Sequence, residues 1–216
     1  MRPSGLWWNT GTARHGPWSL PPTRGGGQPL LRRDSPGTER CLGSRQTHQR
    51  LTGAAPDQPL VEHWNGTAWS VVSTPSLAAG TNALYSVTVN KDGVFAAGES
   101  DDEFSGAHPL VERFSAGSWS ILNLPEAGSI WTNLRGIAAG ADSVWAVGTF
   151  LDPASGNQQT LTLRGDSSIW TVVNGPNPGS GNNVLGGVAA VGDQFWAAGL
   201  DDQGGSNQTF IERHSA

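Results

Sequence analysis

The sequence predicts an all-β protein built from repeats of about fifty residues, on three observations. First, the stretch LVERFSAGSW (Leu110–Trp119) stands earlier as LVEHWNGTAW from Leu60, later as LTLRGDSSIW from Leu161, and begins again as FIERH at Phe210. These starts lie 50, 51 and 49 residues apart, and a fixed period of this size marks a repeat architecture. Second, each repeat holds four short β-type runs. Third, the runs are separated by Gly, Pro, Asn and Asp at a density that leaves no room for a helix of consequence.

The runs follow one another in a constant order. The first is Leu60–Trp64, with counterparts Leu110–Phe114, Thr160–Arg164 and Thr209–His214. Turn-forming linkers follow: NGTA (Asn65–Ala68), SAGS (Ser115–Ser118) and GDSSI (Gly165–Ile169). The second run opens on tryptophan at Trp69–Val72, Trp119–Leu122 and Trp170–Val173. A polar loop then passes through Pro75, Pro125 or Pro176, which cannot donate to a ladder and so suit strand ends. The third run is Leu84–Val89, Leu134–Ala139 and Leu185–Val191. The fourth is VFAAG, VWAVG and FWAAG, ending at Gly98, Gly148 and Gly199. The unbroken apolar character of VWAVG predicts a strand covered on both faces. The repeats span 60–109, 110–159 and 160–208, with the start of another at 209–216.

Four short strands per fifty residues is the signature of a β-propeller blade. The layout resembles the kelch and galactose-oxidase-like propellers, in which a glycine-ended strand is followed by an aromatic residue and then by a tryptophan opening the outer strand. The series here is Gly98, Phe114, Trp119, then Gly148, Gly165 at the aromatic position, and Trp170. The chain departs from kelch in carrying one glycine where kelch repeats carry two, and it is closer to bacterial propeller repeats with a WAVG strand. The resemblance covers Leu60 onward and implies an incomplete propeller of about three four-stranded blades over residues 58–216. It also implies that missing blades of the same propeller, or another chain, meet the open edges. The copper site of galactose oxidase is not implied, because Tyr85 is the single tyrosine and Cys41, the single cysteine, lies outside the repeats.

Residues 1–57 read differently: rich in Arg, Pro and Gly, without apolar periodicity, they are compositionally disordered and form a non-propeller segment. A more specific account follows from back-translation. With chosen synonymous codons, one shifted frame over Leu6–Arg24 reads VVEHWNGTAWSVVPSPNPG, which contains the EHWNGTAW of Glu62–Trp69. The other shifted frame, from Gly27 to about Gly53, reads GNPFYAVTALALNDVWAVGRHINGLQG, with the VWAVG of Val144–Gly148. Residues 1 to about 56 thus read as an out-of-frame copy of another repeat; the alternative is a disordered tail. An out-of-frame copy has no selected core, so the expectation is that it does not pack and that its tryptophans and Cys41 carry no function.

Charge and composition exclude several function classes. Residues 58–216 hold Lys91 and four Arg against fifteen acidic residues, a poor surface for nucleic acid. One cysteine excludes an internal disulfide and a cysteine metal cage. No apolar run reaches the length of a membrane span, and no secretion signal is recognisable. Scarce Lys with abundant Gly, Asn, Ser and Thr suits an extracellular or cell-surface bacterial setting.

Candidate chemistry is sparse. Glu62, Glu112 and Glu212 recur at one position, and paired carboxylates could serve hydrolysis, but residues repeated in every unit point to repeat structure. Of the five histidines, His63, His108 and His214 fall in the repeats without ligand spacing, so no zinc site is predicted. The acidic loops contain Asp101, Asp102, Asp201 and Asp202, a calcium alternative that matches no calcium-loop spacing. Asn65 and Asn207 begin glycosylation triplets. Trp69, Trp119, Trp170, Trp145 and Trp196, with Gly98, Gly148 and Gly199, are expected as structural repeat positions. Trp69, Trp119 and Trp170 should pack between units, and the glycines should sit where backbones crowd or need positive φ. Trp131, out of phase with the repeat, and Asn133 are the expected contacts for a ligand, with a loop anchor as the competing role for Trp131.

The resulting expectation is a non-enzymatic propeller module for binding or scaffolding, without cofactor, whose ligand is a glycan or a protein. The rival is a fragment of a propeller hydrolase or lyase whose catalytic residues lie in missing blades. Sequencing the DNA that encodes residues 1–60 and runs past Ala216 is expected to show EHWNGTAW and VWAVG in the shifted frames and further repeats downstream. Codons that exclude those peptides would sink the out-of-frame account.

Overall fold

A computed structural model describes residues 32–33, 41–45, 58–77, 80–102, 106–127 and 131–215. Among these the chain is all-β, with fifteen strands and no helix. The strands are β1 (Arg32–Arg33), β2 (Cys41–Arg45), β3 (Leu60–Trp64), β4 (Trp69–Val72), β5 (Thr81–Asn90), β6 (Gly93–Asp102), β7 (Gly106–Ser115) and β8 (Ser118–Ile121). They continue with β9 (Thr132–Ala139), β10 (Val144–Leu151), β11 (Gln158–Gly165), β12 (Trp170–Val173), β13 (Asn183–Val191), β14 (Gln194–Asp202) and β15 (Asn207–Ser215). Every pairing is antiparallel between chain neighbours, giving four separate sheets: β1–β4, β5–β8, β9–β12 and the three-stranded β13–β15. They are sheets 1 to 4 below.

The turns predicted from composition form for identifiable reasons. Asn65 Oδ1 accepts from the Thr67 and Ala68 amides, both at 2.9 Å, while Gly66 takes a φ of 97°. Asp166 Oδ1 does the same for Ser168 and Ile169 at 2.7 and 2.8 Å. In SAGS, Ala116 and Gly117 both adopt positive φ, the geometry that closes a twisted hairpin.

A thin sheet cannot bury its own faces, so the core lies between sheets. Val61 of sheet 1 packs with Leu84, Val94, Ala96, Leu110 and Trp119 of sheet 2. The opposite face of sheet 2, with Phe95, Ala97 and Val111, packs on Leu134, Val144, Leu161, Leu163 and Trp170 of sheet 3. Trp145 and Val147 of sheet 3 then pack on Phe195, Ala197 and Leu185 of sheet 4. Polar groups tie the first strand of one sheet to that of the next. Ser86 and Thr88 of β5 accept from the Ile137 and Ala139 amides of β9, at 3.2 and 3.1 Å.

The expectation that residues 1–57 do not pack falls on side chains outside the described residues. Two short strands, β1 and β2, fall inside this segment and extend sheet 1 through backbone pairing alone. The physical reason is the free backbone edge of β3, which pairs with any extended neighbour. β2 also keeps the repeat register: Leu42 faces His63 and Arg45 faces Leu60, as Phe95 faces Arg113 and Gly98 faces Leu110. Its residues, 41–45, are those at which the shifted frame reads VWAVG. The rest of 1–57 and the side chain of Asp102 lie outside the described residues.

The repeated glycines owe their place to crowding rather than to φ. Pairing skips one residue opposite each: from Leu84 to Ser86 against Gly98, from Leu134 to Gly136 against Gly148, and from Leu185 to Gly187 against Gly199. Each skip is a β-bulge, which pushes a carbonyl toward the glycine. A Cβ at Gly148 would stand 1.9 Å from the Asn133 carbonyl oxygen, and one at Gly98 or Gly199 would stand 1.8 Å from that of Ala83 or Val184. Gly148→Ala is therefore expected to cost about 3 kcal/mol or more in urea unfolding. Gly117→Asn, at a φ of 89° with open space around it, should cost under about 1 kcal/mol. Equal costs would refute the crowding argument.

Candidate functional site

The three bulges place one extra residue each at the same point of β5, β9 and β13: Tyr85, Arg135 and Gly186. A bulge re-aims its side chain out of the strict alternation of a strand, so these positions present chemistry that the core does not need. On sheets 2 and 3 they meet. The Arg135 guanidinium carbon lies 5.4 Å from the centre of the Tyr85 ring. The Tyr85 hydroxyl donates to Glu99 Oε1, and burial together with the Glu99 carboxylate pushes its phenol well above the usual range. Tyr85 thus stays a neutral donor that holds Glu99 in place.

Arg135 is itself exposed. Its Nε donates to Asn133 Oδ1 at 3.1 Å, and Thr149 Oγ1 donates to the same oxygen at 3.5 Å. Two residues earlier, Trp131 is 54% exposed, its carbonyl accepting from the Leu151 amide at 2.9 Å. An amide, a guanidinium, a phenol and a carboxylate thus form a connected row from Asn133 through Arg135 and Tyr85 to Glu99. The exposed indole of Trp131 lies two residues before Asn133 in the chain, an apolar ring near the start of β9.

Of the residues singled out from sequence, Trp131 and Asn133 belong to this patch. Tyr85, Glu99 and Arg135 were missed, although a signal was present: the residue after each phase-matched leucine (Leu84, Leu134, Leu185) is Tyr, Arg and Gly, a place where the repeats disagree sharply in size and charge. The acidic residues are not brought together. Asp101 and Asp102 lie on β6 and Asp201 and Asp202 on β14, on either side of sheet 3. Asp202 Oδ1 accepts from the Gly205 amide at 2.8 Å and so caps its own loop. Among the described residues no group of three or more His, Cys, Asp or Glu side chains stands close enough to hold a metal ion.

The structural positions fill out as follows. Trp119 and Trp170 are buried between sheets; Trp69 sits 5.7 Å from Trp64, and Trp145 stacks on Phe195 at 5.1 Å. Gly165, where the repeat carries Phe114, lies beneath the Trp170 ring, and a Cβ there would come within 2.2 Å of it.

The repeated glutamates occupy different intersheet spaces. Glu212 on sheet 4 accepts from Thr162 Oγ1 of sheet 3 at 3.2 Å, and His214 Nε2 lies 3.0 Å from the same oxygen. Glu112 on sheet 2 faces sheet 1, since it pairs with Ala96. There Val61 holds the position that Thr162 holds in sheet 3. Glu112 is fully buried, and among the described residues neither carboxylate oxygen has a hydrogen-bond partner. Burial pushes its pKa from 4.5 up to about 8, so it is neutral at pH 7. Two carboxyls with sheet 3 between them cannot flank one bond, as paired-carboxylate hydrolysis requires.

No family model matches the chain, and no curated protein matches it significantly. Among the described residues no helix is long and apolar enough to cross a membrane.

Glu112 sets a pH dependence. Between pH 4.5 and about 8 the folded protein holds a proton that the unfolded chain has released, so stability is complete below that window and falls as pH rises through it. The advantage of Glu112→Gln over the parent in urea unfolding is expected to grow from pH 5 to pH 8, by up to about 1.4 kcal/mol per pH unit. Parallel stability curves would refute the buried, neutral state.

Proposed function

We propose that the four sheets are blades of a β-propeller and that the chain is a non-enzymatic binding module acting outside the cell. Several features support the propeller reading: three four-stranded sheets and one three-stranded sheet in meander order, stacked face to face, with the first strand β9 lying between β5 and β13. The observation that carries the binding reading is the bulge. The same bulge recurs in sheets 2, 3 and 4, yet presents Tyr85, Arg135 and Gly186, three residues of unlike chemistry, beside a leucine that repeats. A rigid frame that carries variable side chains at one recurrent surface position is the arrangement of a recognition surface.

The ligand class that suits the patch is an oligosaccharide. A sugar ring offers an apolar C–H face for Trp131 and hydroxyls that accept from Arg135 or donate to Glu99. Catalysis finds less support, because the repeated glutamates are separated and one is spent in a bond to Thr162.

Titration calorimetry against a panel of neutral and acidic oligosaccharides tests this. A binder is expected, with Trp131→Ala and Arg135→Ala each weakening it about tenfold or more, a loss of about 1.4 kcal/mol, at unchanged thermal stability. An affinity equal in parent and both variants would move the site elsewhere. Failure of every sugar, with capture of a protein on the same two residues, would replace the ligand class.

A further inference from the structure

Residues 58–216 hold Lys91 and four arginines, and all but one of these cations are tied to the frame. Lys91 Nζ stands between Asp92 and Asp142, at 3.3 and 3.2 Å. Arg113, Arg164 and Arg213 share one repeat position, and each lies over the ring opposite it in the ladder, Phe95, Trp145 or Trp196. Arg113 also donates to the Asp92 and Ser167 carbonyls, which joins a turn of sheet 2 to one of sheet 3. Arg135 is the exception. It stands on a bulge, at a place where the sheets on either side carry Tyr85 and Gly186.

Its surroundings fix the inner part of this side chain and leave the outer end open. Nε donates to Asn133 Oδ1 at 3.1 Å, and the guanidinium lies over the Tyr85 ring at 5.4 Å. One edge and one face are thereby taken. Arg135 is exposed, and among the described residues neither Nη has a hydrogen-bond partner. A carboxylate lies close by without closing on it: Glu99 accepts from the Tyr85 hydroxyl, and both charges act on that phenol. Tyr85 therefore has two duties, covering the guanidinium and keeping an internal carboxylate occupied. What remains is a pair of N–H donors in a fixed plane, the arrangement that matches the two oxygens of a carboxylate. The same residues carry fifteen acidic groups, so long-range attraction gives an anion no help and selection falls to the fork.

We propose that Arg135 determines the specificity of the patch and that the group it selects is a carboxylate, so that the ligand is an acidic oligosaccharide built from sugar acids. The choice of an oligosaccharide rests on the reading given above, whereas the carboxylate fork stands on Arg135, Asn133, Tyr85 and Glu99 alone. Asn133 and Tyr85 are positioning residues: the first sets the rotation of the guanidinium, and the second covers its face and restrains Glu99.

Calorimetric titration with a uronic-acid oligosaccharide, and with the same oligosaccharide after its carboxyls are reduced to alcohols, tests this. The parent is expected to bind the acid form about tenfold or more tighter than the reduced form. Arg135→Lys keeps the charge but loses the fork, and should abolish that preference. Tyr85→Phe keeps the ring but frees Glu99 to pair with Arg135, and should lose most of it. Adding Glu99→Gln to Tyr85→Phe should bring it back, a rescue that a merely structural role for Tyr85 would not produce. A parent that binds both forms equally overturns the fork and leaves the oligosaccharide reading standing. Preference retained by Arg135→Lys also overturns it, and a double variant without preference overturns the part given to Tyr85. If neither form binds, the oligosaccharide reading falls, and the fork is judged with acetate alone by NMR of the Arg135 guanidinium. A shift that saturates upholds it, and an unmoved resonance overturns it.

Discussion

A strand pair satisfies its backbone but leaves two faces, and no sheet of four strands covers either one by itself. That constraint organises the whole chain. Each apolar cluster is shared by consecutive sheets, so the core is a series of slabs rather than one interior. The residue types follow. Positions such as Phe95 and Trp145 are large because they span the gap to the next sheet, and Gly98 and Gly148 are small because the bulge opposite them leaves no room for a Cβ.

The slab arrangement also explains how one position can hold different chemistry in different repeats. Opposite the repeated glutamate site, Thr162 gives Glu212 a hydroxyl, whereas sheets 2 and 3 pair Val111 with Leu163 and keep the junction dry. Glu112 is the mismatch: a carboxyl facing the valine position. Desolvation costs most for the charged form, and the group answers by keeping its proton. Each junction is thus a local compromise, read only by the two sheets that meet there.

Much of this was legible in the sequence because a period of fifty residues aligns the strands by phase. The strands opening on Trp69, Trp119 and Trp170 fall where the pattern puts them, and the turn residues Asn65 and Asp166 act through their side chains as their chemistry predicts. Of the site, Trp131 stood out because it breaks phase. Tyr85 and Arg135 did not, since alternation assigns each residue a face and a bulge inserts one that belongs to neither. The glutamates were ambiguous for another reason: repetition reveals that a position matters to the frame, whereas its partner, Thr162 or Val61, lies about one repeat earlier in the chain. Residues 41–45 were illegible as a strand because no side-chain pattern marks them.

That last segment shows what the edge of a β-ladder demands of its neighbour. β2 takes the repeat register with CLGSR in a place where other repeats carry VFAAG, VWAVG or FWAAG. Its alignment is inherited from β3, through groups that every residue except proline possesses. An edge of this kind therefore sets the position of its neighbour without reading the neighbour's side chains, and any extended segment free of proline can complete the ladder.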